Sequence, residues 1–281
     1  MTKVYAFCCY HNDADILRYS VLHHMGQGID GICLSSIASK DESDIDSLRK
    51  YAESKGIDFY WETDPELSMW TAIKQNRLAA RCHVRAGTDD LWLIPFDADE
   101  FWSTKNGQPL AEFLKETPAD VESWWADFQE YINTDLDKTN EPNPQKRMHH
   151  YMRRYDARMD KSCCKVLYRW RRDVWLEAGA HRTRRMEFEE LREDGGRRGT
   201  VIHSLRHHNI LFQHYPLRSP KQMFEKYKDH MTAIEACGKK LPRGVCSHSR
   251  ERFNLEEEHI DHLFYQIAYS FNPKKEGLLH D

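Results

Sequence analysis

The chain is expected to be an α/β protein, with a mostly parallel central sheet flanked by helices and further helices at its C-terminal end. Three observations predict this. Short apolar runs without alternation recur through the N-terminal third, at residues 3–10, 31–35, 57–61 and 91–96, and such runs mark strands covered on both faces. Stretches of helical period separate them, and an alternating strand–helix order builds a parallel sheet. The last run, LWLIPF, breaks abruptly into Asp97, Ala98, Asp99 and Glu100. In open α/β sheets, ligands bind at the carboxyl ends of the strands.

The elements follow in order. KVYAFCCY at 3–10 is a buried strand, and a helix runs from Asn12 to about Met25, with Asn12 as N-cap and Asp13 and Asp15 in the first turn, where they complement the dipole. Leu17, Val21 and Met25 give it a core face, and Gly26 and Gly28 end it. A second strand at 31–35 leads through polar residues 36–44 to a helix at 45–54, stopped by Gly56, and a third strand at 57–61. A helix over 70–85 brings Ala72, Asn76, Ala79, Ala80 and His83 near one face, and Gly87 and Thr88 close it. Beyond the acidic run, a short helix is expected at 111–115, a straight or bent strand at 121–131, a polar loop at 139–144, and strands at 165–170 and 210–215. Residues 219–236 read as a helix with Ser219 as N-cap and Pro220 at its first position, and 253–271 as a last helix.

With 281 residues and a formal charge of −4, the chain has ample material for a core and no global bias toward nucleic acid or membranes. Charge is uneven: residues 146–206 are dense in Arg and Lys, and Glu256–Glu258 form an acidic run. No apolar stretch approaches the roughly 20 residues that span a bilayer, and the N-terminus reads as a strand rather than a signal peptide. The eight cysteines show no CxxC spacing, which argues against a zinc ribbon and for a reducing, cytoplasmic setting.

Three carboxylates within four residues repel one another unless a cation compensates them. Hard oxygen ligands at a strand's carboxyl end suit Mg2+ or Mn2+, which would in turn hold a phosphate. The flanking Phe96, Phe101 and Trp102 argue against a merely solvated acidic loop.

Four segments, in shared order over residues 4–228, carry a family resemblance. HNDADIL after the first strand resembles an Asn-Glu-x-Asp-x-Leu segment, with Asp13 in place of Glu. Gly28-Ile29-Asp30 resembles a Gly-Val-Asp turn. Gln75–Asn76 followed by LWLIPFDADEF resembles an asparagine-bearing helix and an Asp-x-Asp-Glu-Phe motif. Gly179-Ala180-His181 and HYPLRSPKQMFEK, residues 214–226, resemble a late histidine and a His-Tyr-x-x-Arg-Ser segment. Together they resemble glycosyltransferase family 2, in the branch related to family 92. One departure is SSIASKDES after the second strand, where the family carries an Asp and a Ser-Thr-Asp; Ser39 and Asp41 are the nearest candidates.

The resemblance implies a GT-A fold over 1–228, with a nucleotide-binding half at about 1–103 and an acceptor half at about 104–228, followed by a helical extension at 229–281. It implies an inverting transfer of a sugar from a nucleoside diphosphate donor, a UDP-sugar being the commonest, to a hydroxyl of a glycan or lipid-linked acceptor. Asp97, Asp99 and His214 are then the metal ligands. Asn12, Asp13, Asp41, Gln75, Asn76 and Asp97 face the nucleotide, and their amide and carboxylate groups suit base and ribose hydrogen bonds. Lys165, His181, Arg218 and Lys226 supply cations or donors for phosphate or acceptor. An inverting transfer needs a general base, and three carboxylates compete for the role: Asp127 first, then Glu130, then Glu100.

The Trp124–Trp125 pair is either core or a platform for a sugar ring. The arginines of 146–206 are either a solvated face or a grip for an anionic acceptor at the inner face of a membrane. Two other classes remain open: an Asp-x-Asp magnesium-dependent phosphatase, and a non-enzymatic module binding nucleic acid through 146–206. The Glu100–Phe101 continuation and the motif's place on the fourth strand disfavour the first. The near-neutral total and the lack of a nucleic-acid motif disfavour the second, so no nucleic acid partner is expected.

Overall fold

The computed structural model describes residues 1–67, 71–134, 137, 140–153, 165–191, 197–237, 264 and 279–280. Strand and helix alternate as expected through the N-terminal part: β1 (Lys3–Tyr10), α1 (Ala14–Gly26), β2 (Gly31–Ile37), α2 (Ile45–Ser54), β3 (Asp58–Asp64), α3 (Thr71–Ala86) and β4 (Leu91–Pro95). The order in the sheet is β4-β1-β2-β3, all parallel. Successive side chains of these strands point to opposite faces, which explains why their apolar runs do not alternate. Val4, Ala6, Cys8, Ile32, Leu34, Trp92 and Ile94 enter one core with Leu17 and Val21 of α1. Tyr5, Phe7, Cys33, Leu91 and Leu93 enter a second core with Leu78, Ala79 and Cys82 of α3.

The rest of the chain extends this sheet. It adds β5 (Glu100–Thr104), α4 (Leu110–Glu116), β6 (Ser123–Ile132), α5 (Pro144–Arg147), β7 (His150–Arg153), β8 (Val166–Arg169), β9 (Val174–Leu176), β10 (Thr183–Leu191), β11 (Arg197–Val201), β12 (Leu205–His214), α6 (Pro220–Cys237) and β13 (Leu279–His280). The main sheet runs β13-β7-β6-β8-β4-β1-β2-β3, and β12 leaves it from β6 to pair with β5. β12 is parallel to β6 and antiparallel to β5, so the second half is mixed where the first is wholly parallel. A separate three-stranded sheet, β11-β10-β9, holds much of the arginine-rich segment.

Several expectations are corrected. α1 begins after Asp13, which stands at the N-cap without a side-chain cap bond; Asn12 lies outside the helix with a φ of 52°. The buried face of α3 carries Ala72, Lys74, Gln75, Leu78, Ala79 and Cys82; Ala72 and Ala79 are as expected, while Asn76, Ala80 and His83 are only half-buried. His83 instead stacks on Trp170 with ring centroids 4.9 Å apart. β5, β7, β9, β10, β11 and β13 were not expected as strands. The expected boundary between 228 and 229 falls inside α6, whose N-cap is as foreseen: Gln222 N donates to Ser219 Oγ at 3.1 Å. The expected last helix over 253–271 lies, apart from Phe264, outside the described residues. Among the described residues, no helix is long and apolar enough to cross a membrane.

Candidate active site

The carboxyl end of β4 is closed by a tight turn. Pro95 pairs in register with Phe7, and Phe96 N donates to Phe7 O at 3.0 Å. Glu100 N then donates to Asp97 O at 3.0 Å, while Asp97 N donates back to Glu100 Oε2 at 2.7 Å. Ala98 is buried in the main core and anchors the turn. The turn therefore holds Asp97 partly exposed and sinks Asp99 and Glu100, whose side chains are 5% and 2% exposed.

Register supplies the neighbours. His214 at the end of β12 lies opposite Glu100 of β5 on one side and Glu130 of β6 on the other. Residues directly opposite on paired strands share a face, so Glu130, His214 and Glu100 form one cross-strand row. Two residues back, Phe128, Phe212 and Trp102 form an aromatic row beneath it, with ring centroids 5.1 and 4.8 Å apart. Ligand atoms of Asp99, Glu100 and His214 lie within 4.8 Å of one another. This set differs from the expected Asp97, Asp99 and His214, because the turn aims Asp97 toward Lys165.

Each buried acid is answered by a particular cation. Lys165, itself buried, bridges Asp97 and, at 2.7 Å, Glu100. Burial works against its charge, but the two carboxylates outweigh it and hold the ammonium protonated. The Glu100 carboxyl is pushed well up by burial and by neighbouring Asp97, with Lys165 opposing. Asp99 receives Lys226 Nζ at 2.8 Å and lies 3.6 Å from both Arg218 Nη1 and His214 Nε2. Burial would raise Asp99, yet Lys226, His214 and Arg218 prevail and keep it well below the usual carboxylate range. His214 is lowered to about 4, chiefly by burial, so at neutral pH its ring offers a lone pair rather than a charge.

These groups line a cleft of about 980 Å³, together with Asn12, Asp13, Gln75, Glu130, His181 and residues of α6. Asn12 stitches the loops after β1 and β2: its N–H donates to Ser39 Oγ at 3.1 Å, and its Oδ1 accepts from Lys40 N at 3.0 Å. Its amide also donates to Asp229 of α6 at 2.8 Å. Asp13 is raised to about 6, chiefly by burial, with Arg218 and Lys226 opposing. Gly179, with a φ of 73°, precedes His181; a Cβ there would lie 2.7 Å from the His181 ring, so only glycine lets the ring lie against this turn.

Other expected site residues are placed elsewhere. Asp41 is exposed in the loop after β2, accepts from Ser43 N at 3.0 Å, and does not line the cleft. Asn76 spends its amide on β9, donating to Leu176 O at 2.7 Å and accepting from Leu176 N at 2.9 Å; it joins α3 to the small sheet. Arg218 is buried beneath the cleft and engages Asp15 through Nε and Nη2, both at 2.8 Å, so its guanidinium is already committed to carboxylates. Asp127 lies in β6 in register with Leu211, and its side chain is outside the described residues. Trp124 and Trp125 are structural: Trp124 packs near Phe113 and His207, and Arg206 covers Trp125. Among the described residues of the basic segment, four arginines are answered by acids: Arg169 by Asp90, Arg171 by Glu122, Arg184 by Glu177, and Arg185 by Glu122 and Asp173.

Three features are not signalled by the sequence: the Lys165 bridge, the Lys226–Asp99 pair and the Asp15–Arg218 fork. Nothing local signals any of them, since the partners lie far apart in the chain.

The donor set fits a divalent cation. Two carboxylates and a neutral imidazole are ligands that Mn2+ accepts, and His214 Nδ1 is a buried nitrogen without a hydrogen-bond partner. Gln75 Oε1, also lining the cleft, is likewise buried and unpartnered. Buried polar atoms are ordinarily satisfied, so Gln75 Oε1 marks a place for a ligand atom, while the His214 nitrogen nearest Asp99 is Nε2, at 3.6 Å.

No family model and no curated protein sequence matches the chain. Among solved structures it is similar to S. aureus TarS 1-349 in complex with UDP, at 11% identity over 98% of this chain and 74% of that one, with a TM-score of 0.42. The chain spans 45% of a longer TarS structure. It is also similar to the mannosyltransferase PcManGT from Pyrobaculum calidifontis in complex with GDP-Man and Mn2+, at 10% identity over 98% and 76% of the two chains, with a TM-score of 0.40. A third likeness is to GalNAc-T7 with UDP, GalNAc and Mn2+, at 13% identity over 98% and 58%, with a TM-score of 0.39. With identities this low, the chemistry of the cleft has to be read from its own residues.

Proposed function

We propose that the chain is a divalent-metal-dependent glycosyltransferase that moves a sugar from a nucleoside diphosphate donor, a UDP-sugar first, to a hydroxyl of a glycan or lipid-linked acceptor. The observation that carries this is the convergence of Asp99, Glu100 and His214 within 4.8 Å, at the strand ends, in a cleft with two unpartnered buried polar atoms. The motif order over residues 4–228 supports the same reading. Asp99 and His214 would hold the ion with Glu100 or Asp97. Mn2+ or Mg2+ there supplies a Lewis acid that neutralises charge developing on a diphosphate leaving group.

The chain's own residues do the remainder. Asn12, Asp13 and Gln75 face the nucleotide, with Gln75 Oε1 free to accept a hydrogen bond. Lys226 and His181 serve the phosphates. Glu100, tied to Lys165 and to the Asp97 amide, acts by holding the acidic turn. Glu130, next to His214 in the cross-strand row, is thereby favoured over Asp127 as the base that takes the proton from the acceptor hydroxyl in an inverting transfer. Residues 1–103 form the nucleotide side and later elements the acceptor side.

Calorimetric titration tests the reading: UDP, GDP, CDP and TDP, each with Mn2+ and with chelator. One nucleotide should bind only with metal, and Asp99→Ala should abolish the binding. Failure of every nucleotide under both conditions would sink the reading.

A further inference from the structure

Lys226 stands where a metal-binding cleft has least use for a positive charge. Its Nζ lies 2.8 Å from Asp99 Oδ2, and Arg218 Nη1 lies 3.6 Å from the same oxygen. A divalent ion held by Asp99 and His214 would share that carboxylate with an ammonium, and like charges at such range in a sheltered cleft repel strongly. Arg218 cannot yield, being fixed by Asp15 through two donors and by the Tyr215 carbonyl at 3.0 Å. Lys226 can: among the described residues its ion pair is with Asp99, its stem is long, and 29% of its side chain is exposed to the cleft. The residue is carried by α6, which also reaches Asn12 through Asp229.

We propose that Lys226 is an exchangeable counter-ion. It neutralises Asp99, gives that carboxylate up to a divalent cation, and turns to the diphosphate that arrives with the cation. This rests on the proposed function and adds that metal and diphosphate binding are coupled through one side chain. The ammonium opposes the metal alone and favours the pair, so each ligand should tighten the other, as linkage requires.

The test measures Mn2+ binding by paramagnetic resonance, without and with UDP, in wild type, Lys226→Gln and Lys226→Arg. Lys226→Gln should bind Mn2+ alone roughly tenfold more tightly, while the tightening of Mn2+ by UDP shrinks by a similar factor. Lys226→Arg, which keeps the charge, should stay near wild type. A readout without substitution accompanies it: acetylation of Lys226, quantified by mass spectrometry, should rise when Mn2+ is added alone and fall again when UDP follows. Unchanged Mn2+ affinity and coupling in a folded Lys226→Gln, or Lys226 acetylation indifferent to Mn2+, overturns the proposal while leaving the proposed function standing. Wild-type protein that binds neither Mn2+ nor UDP removes both.

Discussion

Replacing Arg218 by alanine should destabilise the fold by about 3 kcal/mol, because the guanidinium ties the start of α1 to the acidic turn from beneath. Arg218 is 2% exposed. It donates twice to Asp15 at 2.8 Å, lies 3.4 Å from Asp13 and 3.6 Å from Asp99, and donates to the Tyr215 carbonyl at 3.0 Å. Breaking a buried charge pair by removing one partner costs about 3–5 kcal/mol. The Asp15 side chain is 48% exposed, so solvent screening reduces its share to about 1 kcal/mol or less. The larger part comes from the buried Asp99 carboxylate left with weaker compensation and from the lost hydrogen bond to the Tyr215 carbonyl, together about 2 kcal/mol. In a domain of this size that lowers Tm by roughly 6–12 °C. Arg218→Lys keeps the charge but loses the fork and should fall between. Urea unfolding followed by circular dichroism, with Asp15→Ala and the double variant completing a cycle, measures the coupling. A variant within about 0.5 kcal/mol of wild type that nonetheless loses nucleotide binding would show Arg218 to be a ligand group, as the resemblance implied, and refute its structural role.

Two further outcomes concern the scaffold. Gly31 lies in register with Tyr5, and a Cβ at 31 would clash with Cε1 of the Tyr5 ring; Gly31→Ala should cost about 1–3 kcal/mol by thermal unfolding, and a Tyr5→Leu background that fails to relieve this would contradict the steric cause. His24 is fully buried, stacks on Phe96 at 4.0 Å, donates from Nδ1 to Ser20 O and accepts at Nε2 from Trp102 N. Burial first, then His23, holds it well below its ordinary 6.5. The folded state therefore binds fewer protons than the unfolded one, so stability is complete above pH 6.5 and falls below it, by up to about 1.4 kcal/mol per pH unit for this group. Asp13, raised to about 6, works in the opposite sense, losing stability as pH rises through 6. The comparison of urea midpoints at pH 7 and 5.5 between wild type and His24→Gln isolates the histidine; equal slopes in both would rule it out.

Much of the N-terminal sheet was legible residue by residue. The unalternating runs at 3–10 and 91–95 read as strands buried on both sides, and the two cores that receive Val4 and Tyr5 on opposite faces are the reason. The helix at 45–54 and its stop at Gly56 were legible for the same local reason: period and a glycine with positive φ. Strands β10 and β11 were not, because their charged sequences carry no continuous apolar run, and β9, three residues long, is too short to signal itself. Asn76 misled for a related reason. A helix period says which face a residue shares, but not that a carbonyl of β9 waits there.

By itself the sequence determined the succession of strands and helices through β4 and the place of the acidic turn at a strand's carboxyl end. These follow from backbone sterics and burial over a few neighbouring residues, which any short segment carries within itself. Only the tertiary structure decided the pairings: Lys165 for Asp97 and Glu100, Lys226 for Asp99, Arg218 for Asp15, and the row in which register sets Glu130, His214 and Glu100 side by side. Those depend on strand order and register among residues far apart in the chain, and a charge has no preference among distant partners until the fold brings one of them within reach.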